Sequence, residues 1–396
     1  MDGRRNFPRL IAASAASNLA DGVFSLALPL VALSLTRDPA AFASVTVVGR
    51  LPWLLFALPA GAFADRLDRR RTMLLVNLGR TAVIGLLATV LLAGSEGLWM
   101  LYVVAFVLGV GETLFDTAAQ SILPAIVPAA GLDRANGRLY AVELTANQFL
   151  GPPLGAIIAG VTLAGAVGFS SILYLAAGLA LVTLTGSFRA VREGPATTVV
   201  ADVREGIGYL ARHRLLRVIA ACVGISNLAS TAMIAILPLY LIRPGPGGFT
   251  EAGYGLLLTT LAVGSVVGTL AVERLRRSLG ARRTLLLATL SFPLFSLVPA
   301  LTTSGVLLAV GFVVAGGISV SWNIITVSIR QRIVPDHLLG RVNAGYRLVA
   351  WGTMPLGAAL GGLTAGALGL VPALVVSAAI SALCFPLVLF GTPRDL

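Results

Sequence analysis

Apolar and polar positions alternate along this chain on a scale of roughly twenty residues. Each apolar run is long enough to cross a bilayer as a helix. The pattern predicts twelve spans, at about 10–35, 41–64, 72–93, 98–124, 138–163, 167–189, 216–241, 252–273, 284–303, 305–330, 342–367 and 369–391. Most connections are short. The exception is the sixth, where VVADVREGIGYLARHRLL places Val199, Val203, Ile207 and Leu210 on one helical face. That stretch predicts an amphipathic helix on the inner membrane surface. Near the N-terminus, Asn18 and Asp21 interrupt the apolar run, which continues to Leu35. A cleaved signal peptide has a shorter, purer apolar core, so a retained first span is expected.

The pattern also repeats. Residues 16–31, ASNLADGVFSLALPLV, align without gaps on 225–240, ISNLASTAMIAILPLY, with identity at seven of sixteen positions. ADRLDRRR at 64–71 echoes VERLRRSL at 272–279, and VPAAGLDRAN at 127–136 echoes VPDHLLGRVN at 334–343. The three offsets are 225 − 16 = 209, 272 − 64 = 208 and 334 − 127 = 207. Near-constant offsets predict two parallel six-helix halves. The halves are expected at 1–190 and 216–396, with a cytoplasmic linker at 191–215.

Composition supports a membrane class. Of the 396 residues, 57% are hydrophobic and only 12% are charged, too few to coat a bundle of soluble helices. The formal charge is +12, and every basic residue is arginine. In a soluble chain that would suggest nucleic acid. Here the arginines fill alternate connections: Arg4, Arg5 and Arg9; Arg66 to Arg71; Arg134 and Arg138; Arg274 to Arg283; Arg330, Arg332 and Arg341. The opposite loops hold only Arg37 and Arg243. Both termini are therefore expected in the cytoplasm, with the chain in the cell (inner) membrane and no nucleic-acid partner. Cys222 and Cys384 fall in apolar runs and read as small buried hydrophobes. No metal site and no cofactor are expected.

Ionisable side chains at bilayer depth are costly, which makes each a candidate for function. The first half holds Asp21, Arg50, Arg80, Glu112, Asp116 and Glu143. Counting the helical rise puts Asp21 at ~16 Å and Arg50 at ~21 Å from the inner face, with Arg80 and Asp116 both at roughly 11–12 Å. Depth alone thus predicts the ion pairs Asp21–Arg50 and Arg80–Asp116. Glu112 is left without a partner, and Glu143 sits near the cytoplasmic end. A carboxylate beside a guanidinium rarely takes a proton, while a lone desolvated one can. Glu112 is therefore the first candidate for proton coupling and Asp21 the second, followed by Asp116 and Glu143. Asn18 shares a helical stripe with Asp21, Asn147 shares one with Glu143, and Asn323 falls opposite Asp116 when the halves are aligned. Phe24, Phe115, Asn227, Met233 and Trp322 lie near the same levels.

At this point the chain resembles the major facilitator superfamily. Two parallel six-helix halves, with Gly61, Asp65, Arg66, Arg69 and Arg70 in a G-x-x-x-D-R-x-x-R-R signature between the second and third spans, carry the resemblance. The run FDTAAQSILPAIVP to LDRANGRLYAVE is similar to the drug:proton antiporter branch that holds macrolide-efflux proteins and enterobactin exporters. Gly151, Pro152 and Gly155 match part of a fifth-span antiporter motif, although Glu143 and Asn147 stand where that motif has glycines. The fourth span lacks the arginine motif of many proton antiporters.

The resemblance implies an all-α membrane protein of twelve transmembrane helices that works by alternating access as a monomer. It implies that the charged signature latches the cytoplasmic side and that the first, fourth, seventh and tenth spans line a cavity. Asn18, Phe24, Phe115, Asn147, Asn227, Met233, Trp322 and Asn323 become cavity candidates. One charged wall and one neutral wall suit a lipophilic or amphipathic substrate exported against protons. A proton-coupled importer of a small polar solute is the alternative. A membrane enzyme is remote, because no nucleophile–base pair, metal cluster or phosphate loop is present.

Overall fold

A computed structural model describes residues 3–66, 68–128, 131–186, 188 and 199–393, with the side chains at 3–4, 57–66, 120–121, 124, 133, 199–203 and 336–337 excepted. Helices dominate. In chain order they are α1 (Gly3–Leu35), α2 (Pro39–Arg66), α3 (Arg69–Leu92), α4 (Leu98–Ile126), α5 (Leu132–Glu143), α6 (Gly151–Val161), α7 (Leu163–Val182) and α8 (Val199–Arg212). There follow α9 (Arg214–Ile234), α10 (Leu237–Leu241), α11 (Glu251–Leu301), α12 (Gly305–Ile333), α13 (Asp336–Gly352), α14 (Met354–Leu368), α15 (Leu370–Ala382) and α16 (Cys384–Gly391).

Ten helical stretches among the described residues are long and apolar enough to cross a membrane. The longest, α11, is two helices in one. At Gly280 the backbone turns to φ 80°, ψ 165°, a conformation open to glycine, so the expected eighth and ninth spans separate there. The expected fifth span is the run from α5 to α6, too interrupted to score as one helix. Between them, Leu144–Leu150 is a π-helix. Its cause is local. Pro152 and Pro153 have no N–H to offer the preceding turn. The Gly151 N–H bonds instead to the Ala146 carbonyl, five residues back.

Many large apolar side chains face outward, among them Leu75 (67% exposed), Leu92 (76%), Val161 (84%), Leu270 (78%) and Phe390 (72%). A water-soluble surface does not tolerate this density of apolar groups, whereas lipid chains require it.

By contacts the chain forms two compact units. Unit 1 comprises residues 1–36, 51–196 and 251–256, and unit 2 comprises 37–50, 197–250 and 257–396. In unit 1, α1, α3, α4 and α7 share a core that includes Leu10, Met73, Phe115, Ile122 and Leu181. In unit 2 the core joins α9, α11, α12, α13 and α16 through Leu216, Leu285, Trp322, Val342 and Cys384. Cys222 and Cys384 are both buried and form no disulfide; each thiol lies against the other's backbone carbonyl. The amphipathic helix α8 packs on α13, with Leu210 buried and Glu205 paired to Arg341.

Glycines set the closest approaches. A Cβ on Gly22 would lie 2.5 Å from the Asn147 carbonyl oxygen and 2.9 Å from the Gly151 Cα, so α1 runs against the π-helix backbone to backbone. Gly22→Ala is expected to lower stability by about 1–3 kcal/mol, the usual cost of overpacking. Gly79→Ala is expected to raise it by roughly 0.4–1 kcal/mol, because nothing lies within 4 Å of that position. Unfolding in mixed micelles, followed by circular dichroism, measures both. Equal shifts in the two variants would show that the α1 approach is not tight.

Candidate functional site

Unit 1 gathers most of its buried charge in one place. Arg80 on α3 is 2% exposed, an extreme burial for a guanidinium. Space for it comes from Gly111 on α4, where a Cβ would sit 2.8 Å from Arg80 Nε. Arg80 Nη1 lies 3.6 Å from Asp21 Oδ1 on α1. The Tyr174 hydroxyl of α7 donates to the same Asp21 oxygen. The guanidinium also sits over two rings, 5.1 Å from the Tyr174 centroid and 5.8 Å from that of Phe115. Such cation–π contacts partly replace lost hydration. Arg80 Nη2 reaches the Leu108 carbonyl at 3.5 Å, while Nε and Nη1 find no acceptor within hydrogen-bond distance. Glu112 and Asp116, both on α4, lie within electrostatic reach of the same guanidinium.

The pairing therefore differs from the one that depth predicts. Arg80 bonds Asp21 rather than Asp116, and Arg50 is exposed. Depth along a helix says nothing about which way a side chain points around it, and rotation about the helix axis decides the partner. Glu112 is not partnerless either. Its Oε2 accepts from the Trp53 indole nitrogen on α2 at 3.3 Å. Glu143 is exposed at the end of α5. Sequence reasoning missed Tyr174 and Trp53, whose only signal was a polar atom on an aromatic ring inside an apolar run. It also missed Asn77, fully buried on α3, whose Oδ1 accepts from Ser17 at 3.4 Å.

The cavity candidates divide. Phe24, Phe115, Met233 and Trp322 are at most 5% exposed and serve here as packing side chains rather than facing open space. Asn18 turns back on its own helix, donating to the Ser14 carbonyl at 2.9 Å. Asn147 sits on the π-helix, half-buried, and Asn323 is exposed. Asn227 on α9 donates to the Ala350 carbonyl of α13 at 2.6 Å. Gly151, Pro152 and Gly155 are buried, and the two glycines lie against α1 at Gly22 and Val23. Among the described residues of unit 2, Arg330 is a buried cation, lying 3.6 Å from the Tyr346 ring centroid.

The charged signature is seen in part. Gly61, Asp65 and Arg66 are on α2, and their side chains lie outside the described residues. Arg69 opens α3 and is half-buried. Arg70 donates to the Leu181 and Val182 carbonyls at 3.0 and 2.8 Å, closing the end of α7. Asp68 caps α3, accepting from the Arg71 N–H at 3.0 Å, and its other oxygen accepts from the Phe188 N–H at 3.0 Å. Here the signature ties the start of α3 to the end of α7, within unit 1.

Known proteins resemble this chain over most of its length. A family model described as transmembrane secretion effector matches residues 4–392. The chain is 26% identical to the multidrug efflux pump Tap of Mycolicibacterium fortuitum, over 96% of this chain and 93% of that protein. It is 27% identical to the enterobactin exporter EntS of Salmonella choleraesuis, over 93% and 86%. Among solved structures, a nucleoside transporter NupG variant superposes with a TM-score of 0.78 at 12% identity, covering 98% of this chain and all of that one. A bacterial homologue of the lysosomal transporter Spinster gives 0.74 at 13%, covering 97% and 96%. At these identities the structures establish the major facilitator fold.

Asp68, at an unspecified position inside the signature, provides a test of the tie between α3 and the segment after α7. Partial burial opposes its charge, but the Arg71 and Phe188 N–H groups and the Arg71 guanidinium outweigh that and hold its carboxyl below the ordinary aspartate range. Its contribution is therefore complete above the ordinary value of about 3.9 and is lost as pH falls through the lower folded value. Asp68→Ala is expected to cost about 1 kcal/mol at pH 7, as for a lost helix cap. The gap from wild type should close below pH ~3.9. Unfolding midpoints measured across pH in detergent check both the size and the sign.

Proposed function

The chain belongs to the transmembrane secretion effector family of the major facilitator superfamily, and from that premise we propose that it exports a lipophilic or amphipathic small molecule by proton antiport. It is a multi-pass membrane transporter and not an enzyme. The observation that carries the coupling is the charge balance in unit 1. Three carboxylates, on Asp21, Glu112 and Asp116, share the field of one buried guanidinium, on Arg80. One cation balances one of them. Uncompensated carboxylate charge at bilayer depth is costly, and exchange with protons is the role we assign to it.

Roles follow from the contacts. Arg80 and Tyr174 hold Asp21. Glu112 accepts a hydrogen bond from the neutral Trp53 indole and stands as the first proton carrier in this reading. Asp21 takes that role if its pair with Arg80 opens during the cycle. The chain works as a monomer in the inner membrane with both termini cytoplasmic. Residues 1–190 and 216–396 alternate access, joined by 191–215. Export is supported by the efflux pump and the exporter among its relatives. The multidrug efflux pump among those relatives supports a drug-like, lipophilic cargo.

Purified protein in liposomes with an internal pH dye tests the proposal. Lipophilic cations, macrolides and siderophores are added in turn, to wild type, Glu112→Gln and Asp21→Asn. At least one compound is expected to move protons in wild type. Glu112→Gln is expected to reduce that flux more than tenfold while compound binding persists, the pattern of a lost coupling step. Proton flux unchanged in Glu112→Gln would remove Glu112 as carrier. Compound equilibrating with no proton movement in any protein would remove antiport.

A further inference from the structure

Unit 2 contains a cavity of about 320 Å³ between α9, the first and second parts of α11, and α12. Ser226, Asn227 and Ser230 of α9, Ser265 and Ser291 of α11, and Ser319 of α12 supply its polar lining. Phe292 and Phe295 supply two aromatic faces. Among the described residues, no ionisable side chain lines it. The volume falls in the range of small-molecule pockets, and few apolar pockets carry this many oxygens.

The hydrogen bonds give those oxygens a polarity. A hydroxyl beside a carbonyl must donate to it, because the carbonyl only accepts. Ser226 donates to the Val223 carbonyl at 3.2 Å, Ser230 to that of Asn227 at 3.3 Å, Ser265 to that of Leu261 at 3.0 Å and Ser291 to that of Ala288 at 2.7 Å. The Asn227 amide nitrogen is committed to Ala350. Four hydroxyl protons and one of the two Asn227 amide protons are therefore spent on backbone, which leaves the lining with more lone pairs than free donors. The pocket accepts hydrogen bonds and has few to give.

The repeat places this pocket in register with the charged cluster of unit 1. With the offsets given above, Ser230 corresponds to Asp21 (230 − 209 = 21) and Leu261 to Trp53 (261 − 208 = 53). Ser319 corresponds to Glu112 (319 − 207 = 112). Ser230, Leu261 and Ser319 all line the pocket. The same station of the fold carries carboxylates in one half and uncharged oxygens in the other.

We propose that this serine-lined cavity is a binding site for the uncharged, hydrogen-donating head of an aromatic or aliphatic small molecule. The N–H or O–H groups of such a head meet the serine and Asn227 oxygens, while its body lies against Phe292 and Phe295. A full cation is disfavoured, since no carboxylate is present to offset its dehydration. The inference rests on no part of the export reading, because binding is read at equilibrium without a gradient.

The test uses the purified full-length chain in detergent, with equilibrium dialysis corrected for empty micelles. The probes are 2-naphthamide, N,N-dimethyl-2-naphthamide and 2-naphthylmethylammonium. Wild type is expected to bind 2-naphthamide about tenfold more tightly than its dimethyl analogue, which has no N–H, at one to two hydrogen bonds' worth of affinity. Ser230→Ala/Ser319→Ala is expected to erase that preference. Ser377→Ala, a buried hydroxyl elsewhere that donates to the Ala373 carbonyl, is expected to keep it. If the double variant does not fold, Ser265→Ala on the opposite wall carries the same comparison. Equal affinity for the two amides in wild type, or a preference that survives the serine substitutions, overturns the site. Tighter binding of the ammonium than of 2-naphthamide overturns its uncharged character.

Discussion

A guanidinium with 2% exposure, inside a protein that lies in lipid, is the constraint around which unit 1 is organised. Removing one partner from a buried ion pair costs about 3–5 kcal/mol, so Arg80 imposes demands on every helix near it. α1 must present Asp21, α7 must present Tyr174, and α4 must be bare at Gly111. The tight α1 crossing at Gly22 then fixes the depth at which Asp21 meets its partners. The π-helix beside it answers to the same crossing, because it carries the Asn147 carbonyl that Gly22 touches.

The internal repeat gives this arrangement a contrast. Two copies of one helical plan hold different chemistry at the same station. One copy is rich in carboxylates around an arginine; the other is rich in serine hydroxyls around two phenylalanines. Proton-dependent charge and neutral hydrogen bonding make conflicting demands on dielectric and hydration. A duplicated fold meets both by assigning one to each copy.

Much of this was legible in the residue pattern. Span positions follow from length and hydropathy, and the two-half organisation from three echoes at near-constant offset. Superfamily membership followed from the charged signature in its place between the second and third spans. The residues of the charged cluster were legible too, because an ionisable group in an apolar run is conspicuous. Their pairing was not. Asp21 and Arg50 matched in depth, as did Arg80 and Asp116, yet Arg80 turned to Asp21. Phe115 and Trp322, placed by spacing beside a cavity, pack into cores instead.

Sequence by itself determined what crosses the membrane, how often, and which charges it carries there, because those are one-dimensional properties of hydropathy, length and composition. Only the tertiary structure decided which groups touch. Azimuth around a helix axis, the tilt that a Gly–Gly crossing permits and the slip that a π-turn introduces all move a side chain by several ångströms without changing its place in the chain. Ion pairs and hydrogen bonds act over shorter distances than that. The partner of Arg80, the indole on Glu112 and the serine-lined cavity of unit 2 are set by those rotations.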